Sequence, residues 1–154
     1  MKRALLILGV FTLISLSSCH SEQGGKVLIS RTFKTASWER FDYVEKPITL
    51  NKPVSYDLEL DAWFDDSYPF NYFAVVFTVF DTAGNPLRSK DYKFTLKDRD
   101  GVWKSQMEEG RYHFRFPLNS NLTLNDPDTY VFQIENHMPI TPLLGIREVS
   151  IISK

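Results

Sequence analysis

The sequence holds one cysteine, Cys19, among 154 residues, and only three histidines, His20, His113 and His137. No second cysteine can pair with Cys19, so the fold after it must be held by packing rather than by disulfides. The histidines lack metal-ligand spacing, such as two on one helical turn, so neither a metal nor a cofactor is expected. A Gly-x-Ser-x-Gly elbow and a phosphate-cradling glycine loop are missing, and with them the signatures of serine hydrolases and nucleotide binders. Excess basic charge is absent too. Once Lys2 and Arg3 leave with the first 18 residues, 16 basic side chains face 19 acidic ones, a formal charge of −3. That balance gives no reason to expect nucleic acid or anionic lipid as a partner. There is no internal repeat and no low-complexity tract.

What is present begins at the N-terminus. Met1, Lys2 and Arg3 precede an apolar run from Ala4 to Leu16, which ends in Leu16-Ser17-Ser18-Cys19. The run is shorter than the ~20 residues of a membrane-spanning helix, and small residues follow it, as in a secretory signal. An apolar residue three before a cysteine, with small residues between, is a lipobox. The expected organisation is a signal peptide over 1–18, a lipidated Cys19 with a flexible tether over 19–26, and one domain over 27–154. An ordinary signal peptide or an N-terminal membrane helix is the competing reading. His20 stands where an inner-membrane retention signal would place Asp, so the outer membrane is the expected address.

After the tether the hydrophobic period is two. Val54, Tyr56, Leu58, Leu60 and Ala62 alternate with Ser55, Asp57, Glu59 and Asp61, the pattern of a half-buried strand. Tyr72 to Phe80 is apolar on both faces and reads as a central strand. Tyr92, Phe94 and Leu96, then Tyr112, Phe114, Phe116 and Leu118, then Tyr130, Phe132 and Ile134 continue the alternation. Strands near Val27–Phe33, Pro47–Leu50 and Ile146–Ile152 bring the total to about eight, with no convincing helix. Turn residues cluster at Asp65–Pro69, Asp81–Pro86 and Asp98–Gly101. This predicts an all-β, single antiparallel β-sandwich, jelly-roll-like. Gly84–Lys90 and Asn119–Asp128 read as long connections that favour Greek-key crossings. Tyr56, Leu58, Leu60, Phe94, Phe114, Phe116, Phe132 and Ile134 are the expected core.

The carboxylates Asp57, Glu59 and Asp61 share one strand face. A row of this kind can act as an acid/base pair, but on an antiparallel strand it is more simply the solvated face. Trp63, Tyr68, Phe70 and Trp103 are candidates for a partner or ligand surface, where aromatic rings anchor proteins or stack on sugars. Capping the end of the core is the structural alternative. Asp81-Thr82-Ala83 matches the short acceptor pattern for O-glycosylation, in a turn where a glycan could be carried on Thr82.

Taken in order, the lipobox, Ser67-Tyr68-Pro69-Phe70-Asn71, Leu96-Lys97-Asp98 to Trp103, Tyr130 to Met138 and Leu144 to Val149 resemble the gliding motility-associated GldH lipoproteins of Bacteroidetes. The resemblance spans essentially all of the chain after Cys19. Pro139 after Met138, and Lys104-Ser105 after Trp103, depart from the family pattern. The resemblance implies a non-enzymatic accessory lipoprotein of the gliding and type IX secretion apparatus, contacting other cell-envelope proteins. The alternative is a carbohydrate-binding surface lipoprotein with an aromatic platform.

Overall fold

The structure is a computed structural model that describes residues 25–154. The signal segment 1–18, Cys19 and the tether as far as residue 24 lie outside the described residues. The chain runs through β1 (Lys26–Thr32), β2 (Ser37–Trp38), β3 (Val44–Thr49), β4 (Val54–Phe64), β5 (Tyr72–Phe80) and β6 (Pro86–Thr95). It continues through β7 (Met107–Glu108), β8 (Arg111–Leu124), β9 (Thr129–Asn136), β10 (Leu143–Leu144) and β11 (Ile146–Ser153). One sheet has the order β1-β11-β4-β8-β7 and the other β3-β9-β5-β6, with β10 and β2 paired separately. All pairings within them are antiparallel. The all-β, sandwich-like fold is the one the alternation predicts. Eight strands are long; β2, β7 and β10 have two residues each, too few to leave a periodic signal.

The two sheets meet over one core. Leu58, Leu60, Ala62 and Phe64 of β4 join Phe73, Val75, Phe77 and Val79 of β5, Phe132 and Ile134 of β9, and Val149 and Ile151 of β11 in a single cluster. Of the eight expected core residues, Leu58, Leu60, Phe114, Phe132 and Ile134 are buried, whereas Tyr56, Phe94 and Phe116 are half-buried at its margin. The last two lie on β6 and β8, where the sandwich is open along one side. There Phe94 stacks on Phe116 at 4.2 Å.

Both expected long connections are corrected. Pro86 to Lys90 belongs to β6, so Asp81–Asn85 is a tight hairpin turn. Asp81 closes it, its carboxylate accepting from the N–H groups of Ala83 and Asn85 and from the Asn85 amide. Those bonds, the Asn85 side chain foremost, hold the Asp81 carboxyl below the usual range. Asn119 to Leu124 continues β8, although its residues are turn formers. Register shifts opposite Leu58 and a left-handed Asn121 (φ 57°) accommodate them, and asparagine tolerates that backbone better than most residues.

Gly145 fixes how the 65–71 loop closes over the core. Its φ is 79°, and a Cβ there would lie 2.5 Å from the Tyr68 nitrogen. Its own N–H donates to Ala36 O, and its carbonyl accepts from Asp65 N. Gly145→Ala should therefore lower stability by about 3 kcal/mol or more, from left-handed strain plus backbone overlap. An unchanged midpoint in urea unfolding would refute this account of the loop.

Candidate functional site

Strand direction gives the molecule two ends. At one end stand Lys26 beside Ser153, the 50–53 link and the Asp81–Asn85 turn. Leu50 N donates to Asp128 O there. At the other end lie the loops 33–43, 65–71, 96–110 and 137–145. The large hydrophobic side chains left exposed are not shared evenly. Among the described residues, Phe41, Tyr43, Val102, Met107, Ile140 and Leu144 belong to the second, far end, and only Val27 and Leu87 do not.

Phe41 is the most exposed of them, at 70 %, and its φ is 65°. A bulky residue in left-handed backbone costs on the order of 1–3 kcal/mol and persists only where its surroundings hold it. They do so from both sides. Arg31 forks onto the Asp42 carboxylate at 2.7 and 2.6 Å and also donates to Tyr43 O. The fully buried Trp38 donates its indole N–H to Asp42 O at 2.5 Å. Arg40 N donates to Thr141 Oγ1, and the Arg40 guanidinium donates to Met138 O. The loop that carries Ile140 is thereby tied to the loop that carries Phe41.

The residues singled out from the sequence take different places. Tyr68 is 1 % exposed, packed against Phe64 and donating its hydroxyl to Tyr72 O at 2.9 Å. Burial, and Tyr72 beside it, push its phenol well above the usual tyrosine range. A partner cannot reach this ring, so Tyr68 is corrected from surface candidate to core cap. Phe70 is half-buried between Tyr68 and Tyr72. Trp103 is half-buried and stacked on Tyr112 at 4.1 Å, with Lys97 Nζ 4.3 Å from its ring centroid. Thr82 is exposed in its turn.

Trp63 lies elsewhere, on the outer face of the β4 sheet. It stacks on His113 at 4.1 Å and donates its indole N–H to Asp61. Asp61 is 6 % exposed, which corrects the reading of its strand face as simply solvated. His113 Nε2 lies 2.6 Å and Arg115 Nε 3.0 Å from Asp61 Oδ2. An ionised carboxylate only accepts, so the 2.6 Å contact with an ionised Asp61 selects the His113 tautomer that carries its proton on Nε2. Glu59, half-buried, pairs with Lys154 at 2.7 Å. Among the described residues, no three of His, Cys, Asp and Glu gather as metal ligands would.

The family model for GldH lipoproteins matches residues 29–152. The chain belongs to the GldH lipoprotein family. It is thus a gliding-motility-related lipoprotein, lipid-anchored in the cell envelope, and the match takes in both braced loops of the far end. No curated protein matches the chain.

Sequence reasoning missed Phe41 because it follows Glu39 and Arg40 and precedes Asp42, with no period to place it. The usable signal was a large aromatic in a charged, non-alternating stretch. Two stability measurements check these assignments. Tyr68→Ala should cost about 3–5 kcal/mol, as for other buried aromatic truncations. Phe41→Gly should instead raise stability by up to about 1 kcal/mol, because glycine relieves the left-handed strain. A fall of similar size in urea unfolding would mean that the phenyl ring is part of the fold.

Proposed function

We propose that this GldH-family lipoprotein is a non-enzymatic accessory protein of the gliding and type IX secretion apparatus, anchored through Cys19 in the outer membrane. It would act as an interaction module that docks envelope proteins on its far end. One observation carries this reading: the exposed apolar side chains cluster at the end away from the chain's point of entry, on loops held rigid from behind. The seven residues of β1 carry the chain about 20 Å from Lys26 to that end. A lipid on Cys19 would therefore leave the far end facing away from its own membrane. Exposed aromatic and aliphatic anchors on a rigid support are what a protein interface uses. The glycan-platform alternative has less in its favour. The rings of Trp63 and Trp103 already rest against His113 and Tyr112, which leaves less face for a sugar.

Replacing Phe41 and Ile140 together by Ser should abolish co-purification of motility or secretion proteins with the lipidated protein. The melting temperature should stay within a few degrees of wild type, as expected for exposed positions. Retained partners would remove the far end from the interface. Cys19→Ala should shift the protein from the detergent to the aqueous phase in Triton X-114 partitioning, and an unchanged partition would exclude the anchor. The proposed glycan on Thr82 would add mass beyond the lipid in the native protein, and that increment should vanish in Thr82→Ala.

A further inference from the structure

Strand β6 is a bare edge of this fold. It pairs with β5 on one side and, among the described residues, with no strand on the other. Two of the other edges are interrupted, while β1 pairs with β11 alone. β3 carries Pro47, which has no N–H to offer. Along β8, hydroxyls cap two edge carbonyls: Ser105 donates to His113 O at 2.6 Å, and Tyr92 donates to Leu118 O. No such cap covers β6 among the described residues, and its only proline, Pro86, is its first residue.

The register sets which β6 side chains point towards the core side. Arg88, Lys90, Tyr92 and Phe94 lie opposite Val79, Phe77, Val75 and Phe73, all four of which are buried. This face of the edge is therefore cationic in one half and aromatic in the other. Among the described residues, no carboxylate lies within ion-pair distance of Arg88, Lys90 or Lys93. Asp91 points to the opposite face and meets His137. Asp126 lines the cleft beside Arg88 but does not pair with it. Tyr92, Phe94 and the facing Phe116 are half-buried, so the open side of the core lacks cover where the rings are.

Charges on an edge strand discourage pairing with a like strand, and a second copy of β6 would bring cations against cations. An acidic strand meets the opposite condition. We propose that the free edge of β6 accepts an extended acidic segment of another protein as an added strand. Main-chain bonds supply the affinity of such an addition, and alternate side chains supply its specificity. The segment carries two carboxylates at alternate positions beside Arg88 and Lys90. Two apolar side chains follow on the same face and cover Tyr92 and Phe94. This surface is separate from the far end and does not depend on Phe41.

The test uses the lipidated protein in detergent micelles and synthetic peptides of about ten residues. One peptide places glutamate at two alternate positions and valine and phenylalanine at the next two. A second has that order reversed, to allow either strand direction, and each has a lysine-for-glutamate counterpart. One of the glutamate peptides should bind at least about tenfold more tightly than its lysine counterpart and slow hydrogen exchange at the amides of 87–95. Arg88→Glu with Lys90→Glu, both at exposed positions, should reverse that preference. Equal binding of the paired peptides, absence of binding, or protection confined to other strands would overturn the proposal. Should the double variant fail to fold, the wild-type comparison of glutamate with lysine peptides still decides.

Discussion

The ring of Phe64 is where the two sheets and two loops of the far end are joined. It is fully buried at the end of β4. It meets Tyr68 at 4.8 Å, Phe73 at 5.3 Å, Phe114 at 6.0 Å and Trp103 at 6.1 Å, three of the four edge-on or nearly so. Edge-to-face pairs add about 0.5–1.5 kcal/mol each beyond the area they bury. The partners come from β5, β8, the 65–71 loop and the 96–106 segment, so one side chain fixes the position of all four. With no disulfide available, this aromatic junction does the work that a covalent link does in many small exported domains. The far end is rigid because its loops are built around buried rings, and a rigid end can hold apolar groups out in water.

How much of this was legible follows from how each residue makes its contacts. The β4 alternation, the two-sided apolar β5 and the Tyr130–Ile134 face were readable, because burial on a pleated sheet writes itself at period two. The 119–124 part of β8 was not, because its asparagines serve bulges and a left-handed turn inside a strand. Tyr68 could be read either as a surface ring or as a cap of the core, because Asp65, Asp66 and Ser67 precede it. Its burial depends on the gap left by Gly145, 77 residues on, a contact with no local signature. Asp61 looked like its exposed neighbours on β4, and only the register with β8 brings His113 and Arg115 to it. Thus the elements were legible and the long-range polar contacts were not.

Phe41 needs a different explanation from the core. A small domain has a net stability of about 5–15 kcal/mol, so strain of about 1–3 kcal/mol is a sizeable share of it. A ring 70 % exposed recovers little of that by burial. The surrounding bonds from Arg31, Trp38 and Arg40 constrain the backbone whichever residue occupies position 41. Glycine or asparagine would sit there at lower cost. The phenyl group is therefore not accounted for by folding, which is what places it in the proposed docking surface.

The Asp61 cluster leads to the opposite conclusion from similar ingredients. A buried carboxylate oriented on a histidine is the supporting half of a catalytic triad. Here, though, no hydroxyl or thiol is hydrogen-bonded to the His113 ring among the described residues, and one ring face lies flat against Trp63. Asp61 meanwhile accepts from Trp63, His113 and Arg115, and a carboxylate that accepts several donors is satisfied within the protein. Across the same face Ser150 donates to Ser30 and Ser30 to Glu148, while Glu59 holds Lys154. The outer face of the β4 sheet thus uses its polar groups internally, to set the register of β1, β11, β4 and β8. Among the described residues, the β6 edge leaves backbone groups without a protein partner, and the Phe41 loop leaves an apolar ring in water. This contrast is why the proposed binding surfaces are an edge and an end rather than the most polar face.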